Sequence, residues 1–405
     1  VKVVLQIVVI FLVLSMSSCQ QQLIGLFQKG KYVTSDSLVE IPFTLENNLI
    51  IIPVTIEGKV YRFMLDTGAP NLISSELATQ LKLKGGRNLS TQDSQGNKSQ
   101  LNYVVIPKIA IGNSIFINSA AAIADLKRAD AIACLGIDGL IGSNLMKKAC
   151  WQIDSKKQVI RIGKDLKSLN NGELGVSIPF NTEITGTPYF TVKFGTTEMK
   201  RLQLDTGSVG FLSIDNTTYS HLVSKNHVLN ERNSFGINTV GLFGASGMDS
   251  TKQVLIDEFS LGVLSLKEQV LDVKASNQNL LGMSFLKNYL VTIDWKREQV
   301  FLLQHQEIIN DYAESFGIGL IRKGNVMEVS FITEESTAHK KGIQIGDIVL
   351  RVNEYDLTAV ELDDYCKTLK LVRLKEVDEL KLVILKDGIK DEFTIHKLAT
   401  LKPRL

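Results

Sequence analysis

Two copies of one pattern run through this chain, and that repetition constrains its fold more than any other feature. Val39-Glu-Ile-Pro-Phe43 returns as Val176-Ser-Ile-Pro-Phe180, and Met64-Leu-Asp-Thr-Gly-Ala69 returns as Gln203-Leu-Asp-Thr-Gly-Ser208. Leu140-Ile-Gly142 returns as Leu280-Leu-Gly282, and Ile153-Asp154 as Ile293-Asp294. Measured from Val39 to Val176, Asp66 to Asp205, Gly142 to Gly282 and Asp154 to Asp294, the offsets are 137, 139, 140 and 140 residues. Four matches in one order at nearly one spacing mean two copies of one domain.

Within each copy, short segments rich in Val, Ile, Phe and Thr are broken by Gly, Asn and Asp, as in Leu49 to Leu65 and Tyr189 to Leu204. This pattern favours strands and hairpins. One helix is expected per copy, Ser75 to Leu83 with Ser74 or Ser75 as N-cap, and Asp215 to Lys225. The 405 residues are 44% hydrophobic and 22% charged, which allows a sizeable core and excludes a disordered chain. A net charge of +2 with no basic block gives no reason to expect a nucleic-acid partner.

Two repeated aspartates point to chemistry. Peptide hydrolysis by paired carboxylates needs one ionised Asp to take a proton from water while a protonated partner donates to the substrate carbonyl. Such a pair sits about 3 Å apart and shares one proton. A two-fold repeat supplies one Asp per copy at its pseudo-axis, here Asp66 and Asp205. Gly68 and Gly207 permit a tight loop with backbone N–H groups close to the carboxylates, and Thr67 and Thr206 can reach across the axis. Phe63 and Leu65, with Leu202 and Leu204, seat each loop on a buried strand. Ser208 can donate to Asp205 whereas Ala69 cannot serve Asp66, so Asp205 is expected to be the ionised member and Asp66 the protonated one.

Leu65-Asp-Thr-Gly-Ala69 followed by Leu140-Ile-Gly-Ser-Asn-Leu-Met146 resembles a retropepsin, and the second copy has the same pair of motifs. The resemblance covers residues 38 to 303 and implies an acid-peptidase fold with a flap over the cleft, needing no cofactor. It places Gly142 and Gly282 on strands beneath the catalytic loops, where only a small residue fits. Two motifs in one chain is the pepsin-like arrangement. Flap candidates are the hairpin around Asp93 to Asn97 and the stretch Phe235 to Gly244; either is equally an ordinary surface hairpin.

Beyond about Asp311 the chain leaves the repeat. Strands are expected at Phe316 to Arg322, Val326 to Ile332, Ile348 to Asn353, Leu380 to Lys386 and Glu392 to Leu398, with helices at Ser336 to Lys341 and Val360 to Leu369. Ala338 to Asn353 resembles the PDZ pattern, which implies capture of a C-terminal peptide by the loop at Ser315, Phe316, Gly317 and Ile318. The groove could instead serve only to pack against the lobes.

At the start, Val3 to Met16 is almost wholly apolar, too short to span a bilayer and suited to a signal segment. Met16-Ser-Ser-Cys19 resembles a bacterial lipobox, which implies a lipid anchor on Cys19 and an exported lipoprotein in the periplasm or outer envelope; a plain signal peptide with a stray cysteine is the other reading. Of the remaining cysteines, Cys134 and Cys150 are nearest in sequence and could pair, or all three with Cys366 are free and buried. The five histidines show no metal-ligand spacing. The expected fold is therefore mainly β, with two pseudo-symmetric retropepsin-like β-barrel lobes and an α+β PDZ domain. Its expected parts are a signal at 1–19, a linker at 20–37, lobes at 38–170 and 171–308, and the PDZ domain at 312–400. The expected activity is that of an aspartic endopeptidase acting on polypeptides; a non-catalytic peptide-binding adaptor is the alternative.

Overall fold

A computed structural model describes residues 25–34, 38–93, 95–169, 172–237, 239–275, 278–308, 314–373 and 377–403. The expected signal segment and Cys19 lie outside these residues. The chain is mainly β.

In the first repeat a sheet closes on itself. Strands Ser114–Ala124, Leu72–Ser74, Gly139–Gly142, Lys59–Asp66, Leu49–Ile56 and Lys98–Ile111 neighbour one another in that order, and the last pairs back to the first. The second repeat makes the same ring from Leu264–Lys274, Leu212–Asp215, Asn279–Leu281, Thr197–Leu204, Pro188–Phe194 and Asp249–Leu261. Both rings contain the same parallel pairing, Gly139–Gly142 beside Lys59–Asp66 and Asn279–Leu281 beside Thr197–Leu204. Closure leaves few unpaired edges on the residues that carry the aspartates.

A third, six-stranded sheet joins the repeats. Its centre is Cys150–Asp154 antiparallel to Tyr289–Asp294, with Gln152 opposite Thr292 and its amide donating to the Thr292 hydroxyl at 2.9 Å. Those two positions are themselves 140 residues apart, so the pseudo-two-fold axis passes between them. Val39–Pro42 and Val176–Pro179, the first repeated motif, occupy the two edges. Trp151, Ile153, Val291 and Ile293 are buried in one core continuous across both repeats.

The expected helices form as Ser75–Gln80, capped by Ser74 through the Leu77 N–H, and Asn216–Ser224, capped by Asp215 through the Thr218 N–H. Each cap satisfies one of the N–H groups that a helix start leaves free.

Residues 25–34 are not a loose linker: Leu26 and Phe27 are buried, and Lys31–Tyr32 pairs with Phe116 and Ile117. The carboxyl-terminal module has its own core, including Phe316, Met327, Val349, Leu382 and Ile395. Strands Ile318–Lys323, Val326–Thr333, Ile348–Val352, Glu379–Lys386 and Ile389–His396, with helices Thr337–Lys340 and Leu362–Arg373, follow the expected order. A two-residue strand, Tyr355–Asp356, was not expected. The module's sheet is continuous with the second repeat, because Ser234–Gly236 pairs with Phe331–Thr333.

The cysteine expectations fail. Cys134 is bonded to Cys366, 232 residues away, with their Cα atoms 5.4 Å apart. Cys150 is free and buried at the start of the central sheet, opposite Asp294. Burial, reinforced by the Asp294 carboxylate, pushes its thiol far above the ordinary range. Sequence distance was the wrong guide, since Cys134 follows a short helix that reaches out to the carboxyl-terminal module.

Candidate active site

The strand Lys59–Asp66 is exposed at its start and buried over its last four residues, so Asp66 arrives at the end of a fixed strand inside the protein. Leu65 beside it is fully buried, as are Leu202 and Leu204 before Asp205. Asp66 is 9% exposed and Asp205 7%.

The two loops are threaded through each other. Thr67 N–H donates to the Thr206 hydroxyl at 3.0 Å, and that hydroxyl donates to Leu65 C=O at 2.9 Å. Reciprocally, Thr206 N–H donates to the Thr67 hydroxyl at 3.0 Å, and the Thr67 hydroxyl donates to Leu204 C=O at 2.7 Å. Each hydroxyl is saturated by groups of the opposite repeat, so neither loop can shift alone.

The glycines are required by close approach. A Cβ on Gly68 would lie 2.7 Å from Asp205 Cγ, and one on Gly207 would lie 2.6 Å from Asp66 Cγ. Each motif's glycine thus presses on the other motif's carboxylate. Beneath, a Cβ on Gly142 would meet the Pro70 carbonyl carbon at 2.2 Å, and one on Gly282 the Gly210 oxygen at 2.4 Å. Gly142 and Gly282 support the loops and do not face the cleft.

Gly68 N–H donates to Asp66 Oδ1 at 2.8 Å and Gly207 N–H to Asp205 Oδ1 at 2.9 Å. Burial raises both carboxyls above the ordinary range. At Asp205 the Asp66 charge adds to burial and the Gly207 N–H opposes it, and at Asp66 burial is opposed by the Gly68 N–H, the Asp205 side chain and the Ala69 N–H. Both carboxyls therefore favour the protonated form, as a pair sharing one proton does, and the contact expected from Ser208 is not made. The Ser208 hydroxyl lies toward Gly282, and the side chain that touches Asp205 is Gln203, whose amide is 3.5 Å from Oδ2 and 3.3 Å from Gly68 C=O. Gln203 escaped the sequence reading as a site residue. Its signal was a polar residue where the first copy has Met64.

Parts of both flap candidates, Asp93 and Val240 to Phe243, border the cavity at the pair. Asp93 accepts the Gln95 and Asn97 N–H groups within its own turn and, on its other oxygen, Phe243 N–H from the second flap at 3.0 Å. The Thr239 hydroxyl donates to the Gln95 side-chain oxygen, tying the turns together again. Under them lies a cavity of about 210 Å³ bounded by Asp66, Gly68, Asp205 and Gly207, with Leu72, Leu101, Tyr103, Leu140 and Phe243 on the first repeat's side. On the other side a polar cavity of about 660 Å³ is bounded by Glu183, Tyr189, Arg201, Gln203 and Asp215.

In the carboxyl-terminal module, Phe316 is buried and Gly317 takes φ +66°, with Ser336 so close that a Cβ on Gly317 would lie 2.6 Å from its Cβ. Ile318 begins the strand that follows. Phe316 and Ile318 border a cavity other than the one at the aspartates. Among the described residues no group of three or more His, Cys, Asp or Glu could hold a metal ion.

A family model described as "Aspartyl protease" matches residues 52–145, which include Asp66 and Gly142 and stop short of Asp205. No curated protein matches the chain. Residues 52–145 thus form an aspartyl-protease-like domain.

Proposed function

We propose that the chain is an aspartic endopeptidase in which two pepsin-like lobes contribute Asp66 and Asp205. The reading is carried by one observation, the cross-threaded pair of buried carboxylates in which each repeat's glycine abuts the other's aspartate. In this reading Asp66, charged, takes a proton from water as that water attacks the scissile carbonyl, and Asp205, protonated, donates to the carbonyl oxygen. Thr67, Thr206, Gly68 and Gly207 hold the geometry, and the flaps exclude bulk water. The carboxyl-terminal module acts as a PDZ-like domain whose loop at Phe316, Gly317 and Ile318 receives a polypeptide end. Lipid attachment at Cys19 and export follow from the amino-terminal pattern, and a disulfide between Cys134 and Cys366 fits an oxidising compartment.

Asp66→Asn and Asp205→Asn should each lower cleavage of a denatured protein by at least about 10³-fold, within the range for losing a general acid or base. Cleavage that persists at wild-type rate in either variant sinks the dyad, and absence of cleavage by the wild type favours the adaptor. The pH profile should be bell-shaped, rising as Asp66 ionises and falling as Asp205 loses the shared proton. Because burial raises Asp205 strongly, the falling limb should lie above the ordinary carboxylate range.

A further inference from the structure

Both repeats carry an arginine four residues before their aspartate, Arg62 and Arg201, and they use it differently. In the first, the pairing of Lys59–Asp66 with Leu49–Ile56 is regular, with Pro53 opposite Arg62. The Arg62 guanidinium is spent on Glu46 and on the Leu135 and Gly136 carbonyls. In the second, the pairing of Thr197–Leu204 with Pro188–Phe194 slips: Leu202 lies opposite Phe190 and Lys200 opposite Thr191, so Arg201 is the extra residue of a β-bulge. Its φ is +68°, in the left-handed region. Glycine adopts that conformation freely and arginine does not, so this side chain is held against a conformational cost, a condition that concentrates at functional sites.

The contacts of Arg201 do little to offset that cost. Its Nη2 donates to Glu183 Oε1 at 2.6 Å, and its guanidinium carbon lies 4.6 Å from the centre of the Tyr189 ring. The Arg201 and Glu183 side chains are 63% and 49% exposed, and an ion pair so open to water contributes little stability. Among the described residues Nη2 is the one guanidinium nitrogen that makes a hydrogen bond, so these contacts orient the group and leave donors for a guest.

Those donors border the site. Arg201, Tyr189 and Gln203 line the polar cavity of about 660 Å³, and Gln92, Asp93, Gln203 and Gln278 line both it and the cavity at the aspartates, so the two are adjoining parts of one cleft. Gln203, whose amide reaches Asp205, stands two residues along the strand from Arg201. The charges around the polar cavity favour an acidic guest. Asp93 accepts the Gln95, Asn97 and Phe243 N–H groups and Asp215 the Thr218 N–H, so both carboxylates are taken by backbone donors, whereas Lys200 lies beside Arg201.

We propose that Arg201 is a specificity-determining residue that receives an acidic side chain of a polypeptide substrate on the Asp205 side of the scissile bond, with the Tyr189 ring holding its guanidinium in place. The cleavage arm of the inference rests on the peptidase reading; its binding arm does not.

The test uses the full chain and quenched peptides with phenylalanine on one side of the scissile bond and glutamate, glutamine or lysine on the other, in both orders. Cleavage by the wild type gives kcat/KM, and fluorescence anisotropy of the same sequences, singly labelled, gives Kd for the wild type and for Asp66→Asn. In one order the glutamate peptide should exceed the glutamine peptide about tenfold in both measures, the size of one hydrogen bond to a charged group. The preference should shrink in about 1 M salt. Arg201→Gln should abolish it and leave the glutamine peptide unchanged, and Arg201→Lys should keep part of it. Cleavage without a glutamate preference, or with lysine preferred at Glu183, overturns the inference and leaves the peptidase reading standing. Equal losses on every peptide in Arg201→Gln would make the residue structural and overturn the inference too; if that variant does not fold, the wild-type preference and its salt dependence decide. A glutamate preference in binding without cleavage upholds the subsite and sinks the peptidase reading, and peptides neither bound nor cut overturn both.

Discussion

One pattern builds both sides of the cleft, yet the two sides offer a substrate opposite surfaces. Next to Asp66 the lining is Leu72, Leu101, Tyr103, Leu140 and Phe243, whereas next to Asp205 it is Gln203, Arg201, Glu183 and Asp215. Equivalent ion pairs survive in both copies, Arg62 with Glu46 at 2.7 Å and Arg201 with Glu183 at 2.6 Å. The difference comes from the connection into the strand beneath each loop. In the first copy residues 125–138 run from Ser114–Ala124 to Gly139–Gly142 and carry Leu126, Ile132 and Ile137 over the site, with Arg62 holding Leu135 C=O and Gly136 C=O. In the second, only residues 275–278 separate the corresponding strands, and the side stays open and polar. The same longer connection carries Asp130 and Cys134, so it both makes the apolar pocket and anchors the carboxyl-terminal module. Library cleavage should accordingly show apolar residues enriched on one side of the scissile bond only; equal enrichment on both would break the comparison.

Beneath the loops the copies should behave alike. Gly142→Ala and Gly282→Ala each drive a Cβ into backbone that cannot yield, and each should cost about 3 kcal/mol or more in urea denaturation. A large cost at one and none at the other would show that the repeats bear their loops differently.

Away from the axis the copies should diverge. Replacing Cys134 and Cys366 together by serine should cost roughly 2–5 kcal/mol, the usual worth of a native disulfide, read as a lower melting temperature under non-reducing conditions. The second copy holds the module by strand pairing, so the same change should leave hydrogen exchange at Ser234–Gly236 slow. Fast exchange there would mean that the disulfide, not the shared sheet, seats the module.

Much of this was legible in the sequence because it depends on local constraints. Asp66 and Asp205 stood at the ends of apolar runs, Gly142 and Gly282 stood at matching offsets, and Ser74 and Asp215 were good helix caps. What stayed hidden was set by non-local packing. A nearly constant offset of about 140 residues concealed two changes that almost cancel, the longer connection at 125–138 in one copy and the longer flap tip at 237–248 in the other. The Cys134–Cys366 bond was hidden for the same reason, as it joins elements that only the tertiary fold brings together. Ser208 misled because adjacency in sequence was taken for contact; its side chain turns toward Gly282, and Gln203, two residues before Asp205 and on the same face of the strand, is the one that reaches the carboxylate.

That residue gives the finest way to sharpen the comparison. Gln203→Met would make the second copy match Met64 and remove the amide bridging Asp205 and Gly68 C=O. One such hydrogen bond is worth about 1 kcal/mol, so kcat/KM should fall several-fold. The amide favours the charged form of Asp205, so its loss should move the falling limb of the pH profile further up. Met64→Gln should act on the other limb, since an amide near Asp66 favours its charge and lets activity begin at lower pH. If both variants moved the same limb, the proposed division of roles, with Asp205 holding the proton and Asp66 charged, would fall.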